Sequence, residues 1–571
     1  MTKRNRKKHG QGQQIQGGEA LKIIPLGGQE EVGRNMTIFE YGKDIVIIDM
    51  GLQFPEEDMP GVDYIIPNIS YLRGKEKNIR GVVFSHGHLD HIGAAPILLE
   101  KLGNPMIIGR PLTLALIKNR AEDYKKGSAK HLKIITVKSV QNSYRLGRFN
   151  IRFFPVDHSI MDAMGVILET PKGTVIHPGD WTYERDPIVR SPLSYHSLSK
   201  LPKPTFLMLE SLGSVEKKER VPERVMHQNL NRLIREAPGR VIIGTFSSQV
   251  ERIKLILEYA SKIGKKVALD GYSMKVNVKV AMELGYIKVK QDLLITVDKV
   301  NKYPDNRVVV ICTGAQGESN AVLSRIINGN HRFIKIKKPD TIIFSSSVIP
   351  GNERSIQRLK DNLYRLSDNV IHSDIVDVHS GGHSDPMDIV EVVKQVKPTY
   401  FLPVYANHFF HKEAEKLVVR HGFPKDNIFI LDNGSILEHN QGKPRILPKK
   451  VPSDYVFVDG LGIGDVSNVV LRDRQQLADE GMFVIIVNID DETGNIVGEP
   501  DIISRGFVYM KHSKQLVDQV KKKVKNILKD QEPRAKADKR YITNKIRDQI
   551  GQFLFTKTQR RPMVMPVVIE V

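Results

Sequence analysis

The chain has 571 residues, room for about three or four domains of ordinary size, and its 40% hydrophobic and 26% charged residues are the balance of a water-soluble globular protein. No apolar run approaches the roughly 18 residues of a membrane span, and the first stretch, MTKRNRKKHGQGQQIQGGEA, lacks the apolar centre of a signal peptide, so a cytoplasmic protein is expected. Lys and Arg number 86 against 65 Asp and Glu, a formal charge of +21 that favours a polyanionic partner, while the single Cys312 excludes an internal disulfide and a thiolate-rich zinc finger. Any metal must be held by nitrogen and oxygen.

The basic segment 1–20, rich in Gln and Gly, cannot bury a core and reads as a disordered tail. From Leu21 come short apolar runs bounded by turns: LKIIPLGG, MTIFEYGKDIVIIDMG with a polar break at Tyr41 to Asp44, and GVVFSHGH, all strands by their Ile and Val content. IGAAPILLEKLG then has helical spacing and stops at Gly103. Strands are predicted again in IRFFPVDHS, MGVILETPKGTVIHPGD and PTFLMLES. Helical ERVMHQNLNRLIREA, strand RVIIGTF, helical QVERIKLILEYASKIG and strands KVALD, RVVVICTG and DTIIFSSS follow, a shift toward α/β alternation. Near residue 370 the earlier style resumes in NVIHSDIVDVHSGGHSD, then helical DIVEVVKQV and strand TYFLPVY. One domain interrupted by another is therefore expected, 21–215 and 370–452 around 216–369, with a linker and C-terminal domain over 453–571. There MFVIIVNIDDETGNIVG reads as a strand pair and KQLVDQVKKKVKNILKDQ as a basic amphipathic helix, a solvated face or an RNA contact. The basic tail residues Lys3, Arg4, Arg6, Lys7 and Lys8 carry the same two readings.

The chemistry is concentrated in Ser85 to Gly93, SHGHLDHIG. With His86 and His88 at the end of strand GVVFS, and Asp90 and His91 on the turn into a helix, two groups point one way and two another, so a pair of cations can share one short segment. Imidazole and carboxylate without thiolate suit Zn or Mn. A lone histidine is usually an ordinary surface or core residue, but four such groups spaced i, i+2, i+4, i+5 beside an apolar strand obstruct one another's burial. Four side chains cannot saturate two ions, and His158 in FFPVDHSI and Asp180 in TVIHPGDW, each ending an apolar strand, are the candidates for the remainder. Two cations roughly 3.5–4 Å apart activate a bridging water and clamp a phosphoryl or carbonyl oxygen, and a phosphodiester gains most because charge accumulates between its attacking and leaving oxygens.

HxHxDH followed by a distant His and a distant Asp resembles the metallo-β-lactamase superfamily. The resemblance implies His86, His88 and His158 on one metal, Asp90 and His91 on the other and Asp180 bridging, in a sandwich of two sheets with helices outside. CTGAQGESNAVLSRI at 312–326, SSSVIPGNE at 345–353 and HSGGH at 379–383 look like signatures of the β-CASP nucleases. The order from Leu21 through NVVLRDRQQLADEGMFVIIVNIDDETGNIVGEPDIISRGFVYM closely resembles bacterial ribonuclease J. That likeness implies an α/β fold: an αββα sandwich interrupted by a β-CASP α/β domain, plus a small C-terminal α+β domain. It implies a 5′-to-3′ exonuclease preferring 5′-monophosphate, with endonuclease action, in RNA maturation and decay, and single-stranded RNA as partner. Asp90 and Asp180 would serve catalysis, and His379, Ser380, Gly381, Gly382 and His383 would form the substrate-phosphate loop, with His383 as proton donor or transition-state contact and Glu210 as the acidic β-CASP residue. It further implies a homodimer or homotetramer, or a paralogous subunit, and a structural calcium on Asp49, the Gly51 carbonyl and Asp459, whose oxygens suit that hard cation.

One departure stands out. The family's further histidine for the second metal falls at Tyr405 in PVYANHFFHK, with His408 and His411 close by. Either Tyr405 ligates or hydrogen-bonds the metal water, or His408 swings in, or the second metal is held more weakly. Tyr405 is also the one feature that invites a noncatalytic RNA-binding paralogue. A small-ester hydrolase is argued against by the insertion and by the basic charge.

Overall fold

The computed structural model describes residues 19–56, 58–184, 193–217, 220–290, 292–317, 321–348, 352–490, 495–508, 513–529 and 539–571. The tail expected over 1–20 lies, apart from Glu19 and Ala20, outside the described residues, as do Glu318, Ser319 and Asn320 of one motif and Ile349, Pro350 and Gly351 of another. Two compact units divide the chain, one ending at 53 and resuming over 66–455, the other formed by 54–65 with 456–571.

Two sheets of the first unit face each other. One is eight-stranded, in the order Arg445–Ile446, Leu437–His439, Leu21–Gly27, Met36–Tyr41, Asp44–Ile48, Ile79–Val83, Ile107–Gly109 and Ile134–Thr136. The other is six-stranded: Tyr400–Val404, Thr205–Glu210, Gly173–His177, Met164–Thr170, Phe149–Pro155 and Ser143–Leu146. Alternate residues turn to opposite faces of a strand, so Ile23, Phe39, Val46 and Ile48 of the first sheet meet Ile151, Phe153, Val166, Leu168 and Phe206 of the second in one buried core. On the outer face of the second sheet, Ile176, Leu207 and Leu209 pack with Val392, Val396, Ala414 and Val418 of helices Pro386–Val396 and His408–Arg420. Helices Ala95–Lys101 and Pro111–Tyr124 bury Ile97, Leu98, Leu112 and Leu116 beside the first.

A third sheet, six-stranded and parallel throughout, runs Leu294–Ile295, Lys266–Asp270, Val308–Cys312, Val241–Gly244, Thr341–Phe344 and Asn369–Ile371. Its strands are apolar on both faces, as a sheet covered on both sides requires. Val241, Ile243 and Val309 meet helices Glu223–Glu236, Val250–Lys262 and Tyr272–Glu283, while Ile242, Val308 and Ile342 meet Val322–Ile327 and Glu353–Tyr364. The expected domain boundary at 369/370 cuts through this sheet: Asn369–Ile371 pairs with Thr341–Phe344, and Val378 packs in its core, so the inserted domain runs on toward residue 378.

In the second unit, strands Ile496–Arg505, Met482–Ile489 and Met563–Glu570 form a sheet. Phe483, Ile485 and Val487 face Val520 and Val524 of helix Lys514–Lys529 and Ile546 and Ile550 of helix Lys539–Thr558. A small sheet of Gly462–Ile463, Val456–Asp459 and Tyr64–Ile66 draws 54–65 into this unit, a segment expected to belong with 21–215. The first unit is thus a two-sheet sandwich with helices outside, interrupted by a parallel α/β domain, and the second is a small α+β unit. Among the described residues no helix is long and apolar enough to cross a membrane.

Candidate metal centre and phosphate loop

The cluster residues stand past the ends of strands or on the short helix that follows one. His86 and His88 follow Ile79–Val83, Asp90 and His91 open the short helix Leu89–Ile92, His158 follows Phe149–Pro155 and Asp180 follows Gly173–His177. Gly179, at φ +75°, lets the last of these turns pass Ser85, whose Cβ would lie 2.8 Å from an added Cβ. His86 Nε2 and His158 Nε2 lie 3.1 and 3.0 Å from His88 Nδ1, and Asp180 Oδ2 is 3.9 Å from His86 Nε2. On the other side His91 Nε2 is 3.1 Å from Asp180 Oδ1 and 3.4 Å from Asp90 Oδ2. The result is two groups that share Asp180: His86, His88, His158 and Asp180, and Asp90, His91 and Asp180.

Outer hydrogen bonds fix which imidazole nitrogen faces inward. The Asp49 carboxylate accepts from Ser85 N (2.8 Å), Ser85 Oγ (2.7 Å) and His91 Nδ1 (2.8 Å). Ser85 Oγ, having donated to Asp49, accepts from His86 Nδ1 at 3.0 Å, and His158 Nδ1 donates to the Gly382 carbonyl at 2.7 Å. His86 and His158 therefore turn a bare Nε2 into the cluster, and His91 turns its Nε2 toward Asp180 and Asp90. The nitrogen separations of 3.0–3.1 Å about His88 Nδ1 are close to the ligand spacing of tetrahedral zinc, whose bonds of roughly 2.0–2.1 Å separate its ligand atoms by about 3.3 Å. The donor set fits divalent cations.

The electrostatics divide along the same line. Burial, then the neighbouring imidazoles, holds His86 well below the ordinary histidine range; burial does the same to His158 and lowers His88 to about 4, so these rings are neutral, as ligands must be. Burial also works against a charge on His91, but Asp180, Asp90 and Asp49 raise it well above the usual value. Three carboxylates facing one imidazole make a surplus of negative charge that a divalent cation offsets.

Tyr405 joins neither group. Buried at φ +61°, it places Oη 2.8 Å from Nε2 of His177, whose Nδ1 accepts from Gly179 N. Burial first, with Asp49 beside it, lifts the phenol well above its ordinary pKa, so it stays a neutral hydroxyl. His408 is exposed and lies 3.6 Å from Asp432. His411 is buried in helix His408–Arg420. Of the residues expected to hold calcium, Asp49 accepts from Ser85 and His91, and Asp459 pairs with Arg474. Gly51 serves close approach, since a Cβ there would fall 1.5 Å from the Asp90 carbonyl.

The HSGGH loop is divided in use. Ser380 Oγ accepts from Arg220 Nη1 and donates to the Val221 carbonyl, both at 2.8 Å, while buried His379 takes Arg252 Nη1 on Nδ1 at 2.7 Å. Arg252 also donates to the Ser345 and Ser380 carbonyls. His379 and Ser380, expected to bind substrate, are buried on these arginine contacts, while Gly381, Gly382 and His383 are partly exposed. Gly382 must be small, because a Cβ there would meet Ser159 Oγ at 2.8 Å and His158 Cε1 at 3.3 Å. His383 Nδ1 stands 3.5 Å from Glu210 Oε2, and Glu210 Oε1 accepts from Leu212 N. Burial opposes a charge on His383, but the Glu210 carboxylate, helped by Asp180 and Asp90, pushes it up to about 9. Sequence reasoning missed Asn35, Ser85, His177 and Arg252, and gave Asp49 another task.

Family models match in three places: Metallo-beta-lactamase superfamily over 30–215, Ribonuclease J, beta-CASP domain over 238–363, and Ribonuclease J C-terminal domain over 469–571. Ribonuclease J 1 of Streptococcus pyogenes is 34% identical over 554 residues, covering 96% of this chain and 97% of that protein. Ribonuclease J2 of Bacillus subtilis is 32% identical over 555 residues, covering 97% and 99%. A crystal structure of a protein of unknown function from Enterococcus faecalis aligns with TM-score 0.51 at 15% identity, over 75% of this chain and 100% of that one, a likeness of fold alone.

Proposed function

Since the chain belongs to the ribonuclease J family, we propose that it hydrolyses RNA phosphodiester bonds, releasing nucleotides from the 5′ end of single strands that carry a 5′-monophosphate and also cutting internally. His86, His88, His158 and Asp180 would hold one Zn or Mn ion, and Asp90, His91 and Asp180 a second. Such a pair, when bound, supplies an activated water and a clamp on the phosphoryl oxygens. The remaining work falls to the chain itself. Gly381 and Gly382 offer backbone N–H groups to a phosphate, and His383, kept protonated by Glu210, donates a proton to the leaving oxygen. Arg252 and Arg220 hold the loop in place.

The observation that carries this reading is the 2.7 Å bond from His158 Nδ1 to the Gly382 carbonyl, which ties the phosphate loop directly to the metal group. A phosphate held on that loop would lie beside His158. The second unit, with its strand-rich sheet, is assigned to assembly as a homodimer or homotetramer or with a paralogous subunit, and the protein to RNA maturation and decay in the cytoplasm. The test is to give the purified chain a 5′-monophosphorylated single-stranded RNA, with and without Mn or Zn, beside Asp180→Ala. Metal-dependent release of mononucleotides from the 5′ end, lost in the variant, is expected. Equal release by parent and variant would sink the assignment.

A further inference from the structure

The two ligand groups are unequal: the first brings four donors and the second three. A fourth polar tip reaches the second. Asn35, 2% exposed, places its side-chain Nδ2 2.9 Å from His91 Nε2 and 3.3 Å from Asp90 Oδ2, separations like those among the ligand atoms themselves. Its backbone is stitched to the same turn, with Asn35 N donating to the Asp90 carbonyl (3.0 Å) and Gly51 N to the Asn35 carbonyl (2.9 Å), so the side chain leaves from a fixed point. Gly28 opens the space: a Cβ there would meet Asn35 Oδ1 at 2.3 Å and Tyr405 Cδ1 at 2.8 Å. Oδ1 is buried and has no hydrogen-bond partner among the described residues.

Which amide atom faces the group depends on what lies there. Facing the lone pairs of Asp90 Oδ2, the NH2 end is favoured because it can donate to them. Facing a cation that already takes those lone pairs, the NH2 end is repelled and the carbonyl oxygen attracted. A half-turn of the amide exchanges the two atoms without moving the chain, and it breaks no accepted bond, because Oδ1 takes none.

We propose that Asn35 Oδ1 is the fourth protein ligand of the second cation, making with Asp90, His91 and Asp180 an oxygen-rich site for a hard divalent ion such as Mn²⁺. The first group, with three imidazoles and one carboxylate, has the softer donor set and suits zinc. The inference rests on the two-ion reading above. It gives Asn35 a binding role that no Tyr405 contact replaces, since the Tyr405 hydroxyl is turned onto His177.

The test uses the full chain stripped of metal and titrated with Mn²⁺, free ion being followed by electron paramagnetic resonance, for the parent, Asn35→Ala and Asn35→Asp. The parent should bind two ions per chain. Asn35→Ala should keep one at parental affinity and lose about tenfold or more on the other. Asn35→Asp, which supplies oxygen in either orientation and cannot donate, should hold both at least as tightly as the parent. Parental binding of both ions by Asn35→Ala would overturn the proposal. So would weakening in Asn35→Asp equal to that in Asn35→Ala, which would make Asn35 a hydrogen-bond donor to Asp90. A parent that binds fewer than two ions would overturn the two-ion reading itself, and the proposal with it.

Discussion

The two halves of the metal cluster share one carboxylate and differ in nearly everything else. The half made of His86, His88 and His158 draws neutral imidazoles from two strand ends and locks two of them through Ser85 Oγ and the Gly382 carbonyl. The half around His91 is rich in charge, leans directly on Asp49, and includes an Asp90 side chain 35% exposed to solvent. Preorganised neutral donors need little from the ion to hold their geometry, whereas a charged, partly open group depends on the ion to offset its own repulsion. The difference teaches that one half acts as scaffold and the other is the adjustable half, where Tyr405 and Asn35 stand.

Asp180 belongs to both halves, so Asp180→Ala should erase the distinction and carry the largest cost, at least about 10²–10³-fold in single-turnover RNA cleavage, with metal lost from both groups. Arg252→Met should lower kcat by about 10²-fold while costing metal affinity less than Asp49→Ala, because it frees the phosphate loop and reaches a ligand only through the Gly382 carbonyl on His158; Arg252→Lys should recover only part. Asp49→Ala should cost about 10–100-fold in metal affinity by calorimetry, and it should weaken the His91 half more, since His91 bonds Asp49 directly and His86 only through Ser85. Equal weakening of both halves would undo the comparison.

The smallest effect is on pH dependence. His383 must be protonated to donate, and its pKa near 9 places the alkaline fall of cleavage there. Glu210→Gln removes the nearest negative charge, lowers that pKa and should move the alkaline limb down by about one unit. An unmoved limb would take Glu210 out of this role.

Much of this was legible in the sequence. SHGHLDHIG, with His158 and Asp180, carries the cluster because ligand chemistry fixes residue type and spacing, and the apolar strands before each ligand are plain in the pattern. What supports the cluster was not legible. Asp49 in IDMG looks like an oxygen ligand from its type alone, and only the fold shows its carboxylate spent on His91 and Ser85. Arg252 sits in a helix whose stripe is Val250, Ile253, Ile256 and Leu257, where an arginine reads as solvent-facing, yet it is 5% exposed beneath the phosphate loop. Asn35 offers no periodic or chemical signal, since its meaning comes from the Asp90 turn folded against it. NVI reads equally well as a strand of either sheet, and only the pairing of Asn369–Ile371 with Thr341–Phe344 places it in the parallel one. By contrast Ile542, Ile546, Ile550 and Leu554, four apart on helix Lys539–Thr558, were a readable helical stripe that went unread.

The most direct measurement is anomalous diffraction at the Zn and Mn absorption edges from metal-loaded crystals of the full chain. The account predicts two peaks, one enclosed by His86, His88, His158 and Asp180 and one between Asp90, His91 and Asp180. Metal-loaded crystals with no peak in that loop, and its imidazoles turned away from one another, would contradict it.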